Sequence, residues 1–358
     1  MTAVAPRALP GPVLVIGCGL IGTSVGLALR AHDVDVLLVD AEPANIAAAV
    51  ERGAGRPFTD DVVPYLVVAA VPPAAAAAVV ASALVRWPTA FVTDVTSVKA
   101  GLQRSIDAQP GAERFAGGHP MAGSERSGPT AGSAQLFEGR PWAVTPGVST
   151  LPAALDAVVD MALHVGAVPI ILDAASHDRA VALVSHVPQV MSTLTAARLN
   201  DAQGNHLALA GAGLRDTTRI AGSDSALWID ILGTNAADVR AVLELVRGDL
   251  DRVIDALGED DTALGDVLES GRRGTALIPG KHGSAPARVD IVHVQVADQP
   301  GELSRLMSDT GQSGVNIEDL RLDHDLGRPV GLAEITVALG VGDSLVEALT
   351  SRGWTAYR

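Results

Sequence analysis

The residues Gly117-Gly118-His119-Pro120-Met121-Ala122-Gly123-Ser124-Glu125-Arg126-Ser127-Gly128 concentrate the chain's reactive groups. One histidine, two serines and a Glu-Arg pair stand among four glycines. Neither a helical nor a strand period runs through them. Glycines let the backbone approach a ligand closely or adopt positive φ. A histidine held there can exchange a proton near neutral pH. Glycine content alone favours a surface loop with an incidental histidine, so the surrounding elements must decide.

The first such element is Pro12-Val13-Leu14-Val15-Ile16, a β-branched run of the kind buried on both faces of a sheet. It leads into Gly17-Cys18-Gly19-Leu20-Ile21-Gly22, a helical pattern from Thr23, and a second strand, Val34 to Val39, ending at Asp40. Strand, GxGxxG, helix, strand and acid form the dinucleotide-binding fingerprint in its required context. Gly17 makes the turn, Gly19 admits the pyrophosphate, and Gly22 lets helix and strand pack. Leu20 and Ile21 belong to the cofactor loop, and the helix N-terminus that follows faces the phosphates. Asp40 would accept from ribose hydroxyls and repel a 2′-phosphate, which favours NAD over NADP.

Further strands are expected at Leu66 to Val71, Phe91 to Val95, Phe115 to Gly118, Pro141 to Thr145 and Val168 to Leu172. Ser97 and Lys99 follow one strand end and His119 another. Ligands of open α/β sheets bind beyond strand C-termini. The glycine loop, Ser97 to Lys99 and His119 therefore point at one crevice. His119 is the natural acceptor for a hydroxyl proton, with Ser97 orienting it or sharing the hydroxyl. Arg219 is a candidate for an anionic substrate. His177 beside Asp178 reads as a helix-start residue rather than a ligand. No histidine spacing suggests zinc.

Strand runs stop near Ser176, and Val181, Val184, Val187, Met191 and Leu194 recur at helical spacing, with a kink expected at Pro188. The expected organisation is an α/β Rossmann-type domain at 1–173, an all-helical domain at 174–278, a linker at 279–287, and a ferredoxin-like βαββαβ unit at 288–358. The net charge of −15 argues against nucleic acid or an anionic membrane as partner. The one cysteine, Cys18, excludes an intrachain disulfide and fits a reducing compartment. Met1 to Pro10 lacks a continuous apolar signal segment, so a cytoplasmic protein is expected.

Five motifs in order give the chain a resemblance to the prephenate/arogenate dehydrogenase family of tyrosine biosynthesis. They are Gly17 to Ser24, Asp94 to Lys99, Gly118 to Glu125, Ser185-His186-Val187-Pro188-Gln189, and Asp216 to Ala221 with Trp228 beyond. Asp298-Gln299-Pro300-Gly301-Glu302-Leu303 resembles the start of an ACT domain, which usually binds amino acids. The resemblance implies NAD-dependent oxidative decarboxylation of prephenate, or alternatively arogenate, with His119 as base and Ser97 beside it. It implies Arg219 as carboxylate binder, and Ser124, Glu125, Ser185, Gln189 and Trp228 around the substrate. It also implies a homodimer through the helical domain. Tyrosine is the implied effector, near Asp298, Gly301 and Asn316. Some family members carry a histidine where this chain has Gln189.

Overall fold

The computed structural model describes residues 7–123, 126–278, 288–324 and 330–358. The expected site residues Ser124 and Glu125 and the expected linker 279–287 lie outside the described residues. Val13–Ile16 forms β1, Leu20–Arg30 α1, Val36–Val39 β2, Pro43–Glu51 α2, Arg56–Pro57 β3, Leu66–Ala69 β4, Pro73–Arg86 α3 and Phe91–Asp94 β5. These strands make a parallel sheet in the order β3-β2-β1-β4-β5. Successive side chains feed two cores. Val13, Val15, Val36, Leu38, Leu66 and Val68 enter one; Leu14, Leu37, Val67 and Ala69 enter the other. With both faces covered, the strands read as continuous apolar runs rather than alternating ones. The two-residue β3 was not expected from the sequence. Its exposed Arg56 and Pro57 sit at the sheet edge, where proline is tolerated.

Ala100–Asp107 is α4, Ala116–Pro120 β6, Pro141–Pro146 β7, Pro152–His164 α5 and Val168–Ile171 β8. The last three strands form a separate sheet, β6-β7-β8, with β6 antiparallel to β7. A parallel bridge from Val92 to Phe115 links β5 to the approach of β6. The glycines before His119 serve this packing. A Cβ on Gly118 would lie 2.5 Å from the Asp94 carbonyl oxygen, and one on Gly117 would lie 2.3 Å from Thr145 Oγ1. Their closeness is therefore to β5 and β7.

Ala174–Val181 (α6), Val187–Arg198 (α7), Ala212–Thr218 (α8), Ser225–Thr234 (α9), Ala236–Ala256 (α10) and Asp261–Thr275 (α11) follow. Asp173 caps α6 by accepting the Ser176 N–H at 2.8 Å. The expected kink at Pro188 takes the form of a π-helical turn, Ala182–His186, between α6 and α7. Proline offers no N–H to the carbonyl four residues back and crowds it, and a widened turn relieves both. The run 174–201 is long and apolar enough to cross a membrane by length and composition. Its His177, Asp178, His186 and Gln189 are buried and hydrogen-bonded within the fold. Large apolar side chains stay exposed on the helices, among them Leu227, Ile229, Leu250, Ile254 and Leu268.

Val289–Ala297 (β9), Glu302–Gln312 (α12), Ile317–His324 (β10), Val330–Ala338 (β11), Gly342–Ser351 (α13) and Ala356–Tyr357 (β12) complete βαββαβ. The antiparallel sheet β10-β11-β9-β12 has its own core around Val292, Val294, Leu306, Ile335 and Leu345. Alternating burial along β9 and β11 reflects helices on one face only. By packing, the chain divides into Met1–Ala197 with Thr218–Leu245, and Arg198–Thr217 with Val246–Arg358.

Candidate active site

The glycine loop follows β1 and enters α1 without a side-chain cap and without an acid in the first turn. The uncapped N–H groups carry the helix's partial positive charge. Gly17 has φ +103°, and a Cβ there would sit 2.2 Å from the Ala70 carbonyl oxygen. A Cβ on Gly22 would meet the Gly17 carbonyl oxygen at 1.9 Å, whereas one on Gly19 would meet no atom within 4 Å. The open side of Gly19 is thus the side left to a ligand. Cys18 N–H donates to Asp40 Oδ2 at 2.6 Å; Glu42 N–H and Asn45 Nδ2 donate to Oδ1 at 2.8 and 3.2 Å. Of the carboxylate's roughly four acceptor directions, one stays open for a ribose hydroxyl. Burial, then the charge of Asp40, pushes the Cys18 thiol up to about 12, so it is no nucleophile. This donor set fits a dinucleotide. Gly19→Val should lower dinucleotide affinity at least about tenfold while shifting Tm by only about a degree. Gly22→Val should not fold. Titration and thermal melting of both variants check the pair, and unchanged affinity in Gly19→Val would move the ligand elsewhere.

A buried ionic cluster holds the second part of the site. Lys99, 1% exposed, pairs with Asp94, 0% exposed, and donates from Nζ to the Gly118 carbonyl at 2.7 Å. Burial pushes the Lys99 ammonium below its ordinary value against the pull of Asp94. Asp94 also accepts the N–H groups of Thr96 at 2.8 Å and Gly118 at 3.2 Å. As the last residue of β5, Asp94 thereby ties the C-terminal edge of the parallel sheet to the strand that carries His119.

His119 is buried on β6, and its Nδ1 lies 2.9 Å from His177 Nε2. His177 Nδ1 lies 2.8 Å from Asp178 Oδ1. Asp178 also accepts the backbone N–H groups of Lys99 and Ala100, both at 2.8 Å. Burial raises the Asp178 carboxyl, but these hydrogen bonds outweigh it and hold it below the usual carboxylate range. Burial first, then the fields of His177, Lys99 and His186, pushes His119 well below the ordinary imidazole value. It is therefore neutral at pH 7. His177 lies in the first turns of α6, as expected, and at 1% exposed it is also part of the His119 cluster. The signal available was an adjacent His-Asp pair in the first turns of the helix after the last α/β strand.

Ser97 is half-buried between β5 and α4, with no side-chain hydrogen bond among the described residues. Ser185 lies in the π turn, half-buried. Gln189 is buried and donates from Nε2 to the Ile220 carbonyl at 3.0 Å. That bond holds the short helical turn Arg219–Gly222 against α7. Arg219 itself is exposed. Trp228, half-buried, meets His186 edge-on with ring centroids 6.0 Å apart. Burial lowers His186 to about 4, and Asn235 Nδ2 bridges its Nδ1 at 3.2 Å and the Asp178 carbonyl at 2.8 Å. Of the terminal residues, Gly301 takes φ +94° as the N-cap of α12, Asn316 Nδ2 donates to Glu318 at 2.9 Å, and Asp298 is exposed.

Residues 25–171 match the prephenate dehydrogenase nucleotide-binding domain, and residues 173–268 match the prephenate dehydrogenase dimerization domain. The chain is 37% identical to the probable prephenate dehydrogenase NovF of Streptomyces niveus, over 96% of this chain and 98% of that protein. The chain belongs to the prephenate dehydrogenase family. It is an oxidoreductase with a Rossmann-type nucleotide-binding domain, a helical dimerisation domain and NAD as cofactor. Prephenate dehydrogenase of A. aeolicus, solved with hydroxyphenyl propionate and NAD+, superposes with TM-score 0.67 at 28% identity, covering 74% of this chain and 97% of that one. Arogenate dehydrogenase of Synechocystis superposes with TM-score 0.63 at 27% identity, covering 74% and 98%. The exposed leucines and isoleucines of α9, α10 and α11 fall within the family's dimerization segment.

Proposed function

We propose that the chain is an NAD-dependent prephenate dehydrogenase, converting prephenate to 4-hydroxyphenylpyruvate and CO2 in tyrosine biosynthesis. The observation that carries the reading is His119: buried, neutral, engaged among the described residues at Nδ1 only, and tied through Gly118 and Asp94 to the edge of the dinucleotide-binding sheet. NAD+ bound at Gly17 to Gly22 and Asp40 supplies the hydride acceptor. His119 Nε2 accepts the proton of the ring C4 hydroxyl while the C4–H bond gives up its hydrogen with two electrons. The C1–carboxylate bond then breaks, CO2 leaves, and its electron pair completes the aromatic ring. The oxygen takes its proton back from His119 as a phenol. Aromatisation drives the step, so positioning and proton transfer are the protein's main tasks.

Arg219 binds a substrate carboxylate, a role suited to a planar fork of donors. Ser97 shares the C4 hydroxyl, and Ser124, Glu125, Ser185, Gln189 and Trp228 line the substrate. The chain works as a cytoplasmic homodimer. Arogenate is the second reading: Gln189 brings a neutral amide where some relatives carry histidine, and Glu125 can pair with an amino group. The terminal βαββαβ unit is an ACT-like module that binds tyrosine near Asp298, Gly301 and Asn316. The test is a comparison of rates on prephenate and arogenate, with NAD+ and NADP+, with and without tyrosine. Faster turnover of prephenate with NAD+, slowed by tyrosine, is expected. No turnover of either substrate would sink the reading, and tyrosine without effect on rate or Tm would remove the effector role.

A further inference from the structure

We propose that His177 and Asp178 are positioning residues for His119: they fix its proton-accepting tautomer and share the charge it acquires. The inference rests on His119 being the base.

A carboxylate can only accept, so Asp178 Oδ1, 2.8 Å from His177 Nδ1, requires a hydrogen on that nitrogen. In the proposed arrangement that is His177's one ring hydrogen, and its Nε2 presents a lone pair. Two imidazole nitrogens 2.9 Å apart need one hydrogen between them, and it must come from His119 Nδ1. His119 is left with its lone pair on Nε2, the nitrogen that has no partner among the described residues. The direction of the chain is set at its far end. Asp178 holds three N–H donors, from Lys99, Ala100 and His177, so it stays an anion inside the protein.

The same arrangement answers the charge problem of the chemical step. When Nε2 gains the hydroxyl proton, His119 becomes a cation in a site that already contains the buried Lys99 ammonium. Its Nδ1–H lies on a lone pair backed by a carboxylate, so positive charge spreads toward Asp178 with no heavy-atom bond broken. This is the logic of a base held by an orienting partner, here with a second imidazole between base and acid.

Asp178 also receives the first amides of α4, so replacing it disturbs the fold as well as the relay. His177 is the cleaner handle, because its side-chain hydrogen bonds among the described residues are to His119 and Asp178. In the full-length enzyme, His177→Leu is expected to lower kcat about a hundredfold, with KM for prephenate and NAD+ changed less than about threefold. His177→Gln keeps an acceptor and a donor and should recover at least about tenfold of that loss. Nitrogen-15 NMR of wild-type enzyme, with His119 assigned by comparison with His119→Asn, should show His119 protonated on Nδ1. An Nε2-protonated His119 in the wild type overturns the proposal even where no variant folds. So does wild-type kcat in His177→Leu, or equal losses in the Leu and Gln variants. His119→Asn separates the two levels: if it keeps turnover, the base itself is wrong. If it is inactive while His177→Leu is normal, the relay alone is wrong.

Discussion

Replacing His119 with asparagine is expected to lower kcat by at least about a hundredfold while leaving NAD+ affinity unchanged. Asparagine retains a hydrogen-bonding group of similar reach toward His177 but has no basic nitrogen, so the substitution removes proton acceptance more than packing. The nucleotide loop is built from Gly17 to Gly22 and Asp40, none of which bonds His119 among the described residues. The pH dependence gives a second readout. A base works only when unprotonated, and burial holds His119 well below the ordinary imidazole value. The acid limb of kcat/KM in the wild type should therefore lie below pH of about 6.5, not at it. Steady-state rates from pH 5 to 9, with NAD+ titration of the variant, measure both. Normal turnover in His119→Asn, or an acid limb at the unperturbed histidine value, would contradict the assignment.

The two ends of the chain were readable for different reasons. The β1 to β2 segment announces itself because each glycine answers a steric demand: backbone at Gly17 and Gly22, open space at Gly19. The terminal βαββαβ unit is legible because its strands bury one face, leaving a period of two in Val289–Ala297 and Val330–Ala338. His119 was found through glycine density, yet Gly117 and Gly118 turn out to be small because Thr145 and Asp94 lie against them. The glycine argument that led to His119 was therefore partly wrong. His177 and Asp178 escaped because their meaning depends on a contact across 58 residues, from α6 to β6, that no local spacing encodes. Gln189 was read as a substrate contact; the bond of its side-chain amide to Ile220, 31 residues away, was not readable. Lys99 was visible as a position after β5, while its burial against Asp94 and Gly118 was not.

Lys99→Met should cost about 3–5 kcal/mol of stability, because it leaves the Asp94 carboxylate buried without its cation. Asp94 is fully buried, and Thr96 and Gly118 supply only neutral donors in place of the ammonium. The Gly118 carbonyl loses the Nζ donor at the same time, one residue from His119. At roughly 2–4 °C per kcal/mol for chains of this order, Tm should fall by about 10 °C. The pair is not expected to be worth that much as a pair, since taking two ions out of water offsets most of their attraction. Asp94→Asn with Lys99→Met removes both charges and should therefore be more stable than Lys99→Met alone. Thermal and denaturant unfolding of the two single variants and the double one decide the point. Strict additivity of the losses would mean that Lys99 acts through packing of its aliphatic stem and not as the counter-ion of Asp94. In that case the kcat of the double variant should match the wild type wherever it is folded, because the strand carrying His119 would not depend on the ion pair. Coupling between the two positions together with a reduced kcat in the folded double variant would instead place the ion pair among the supports of His119, through the carbonyl of Gly118.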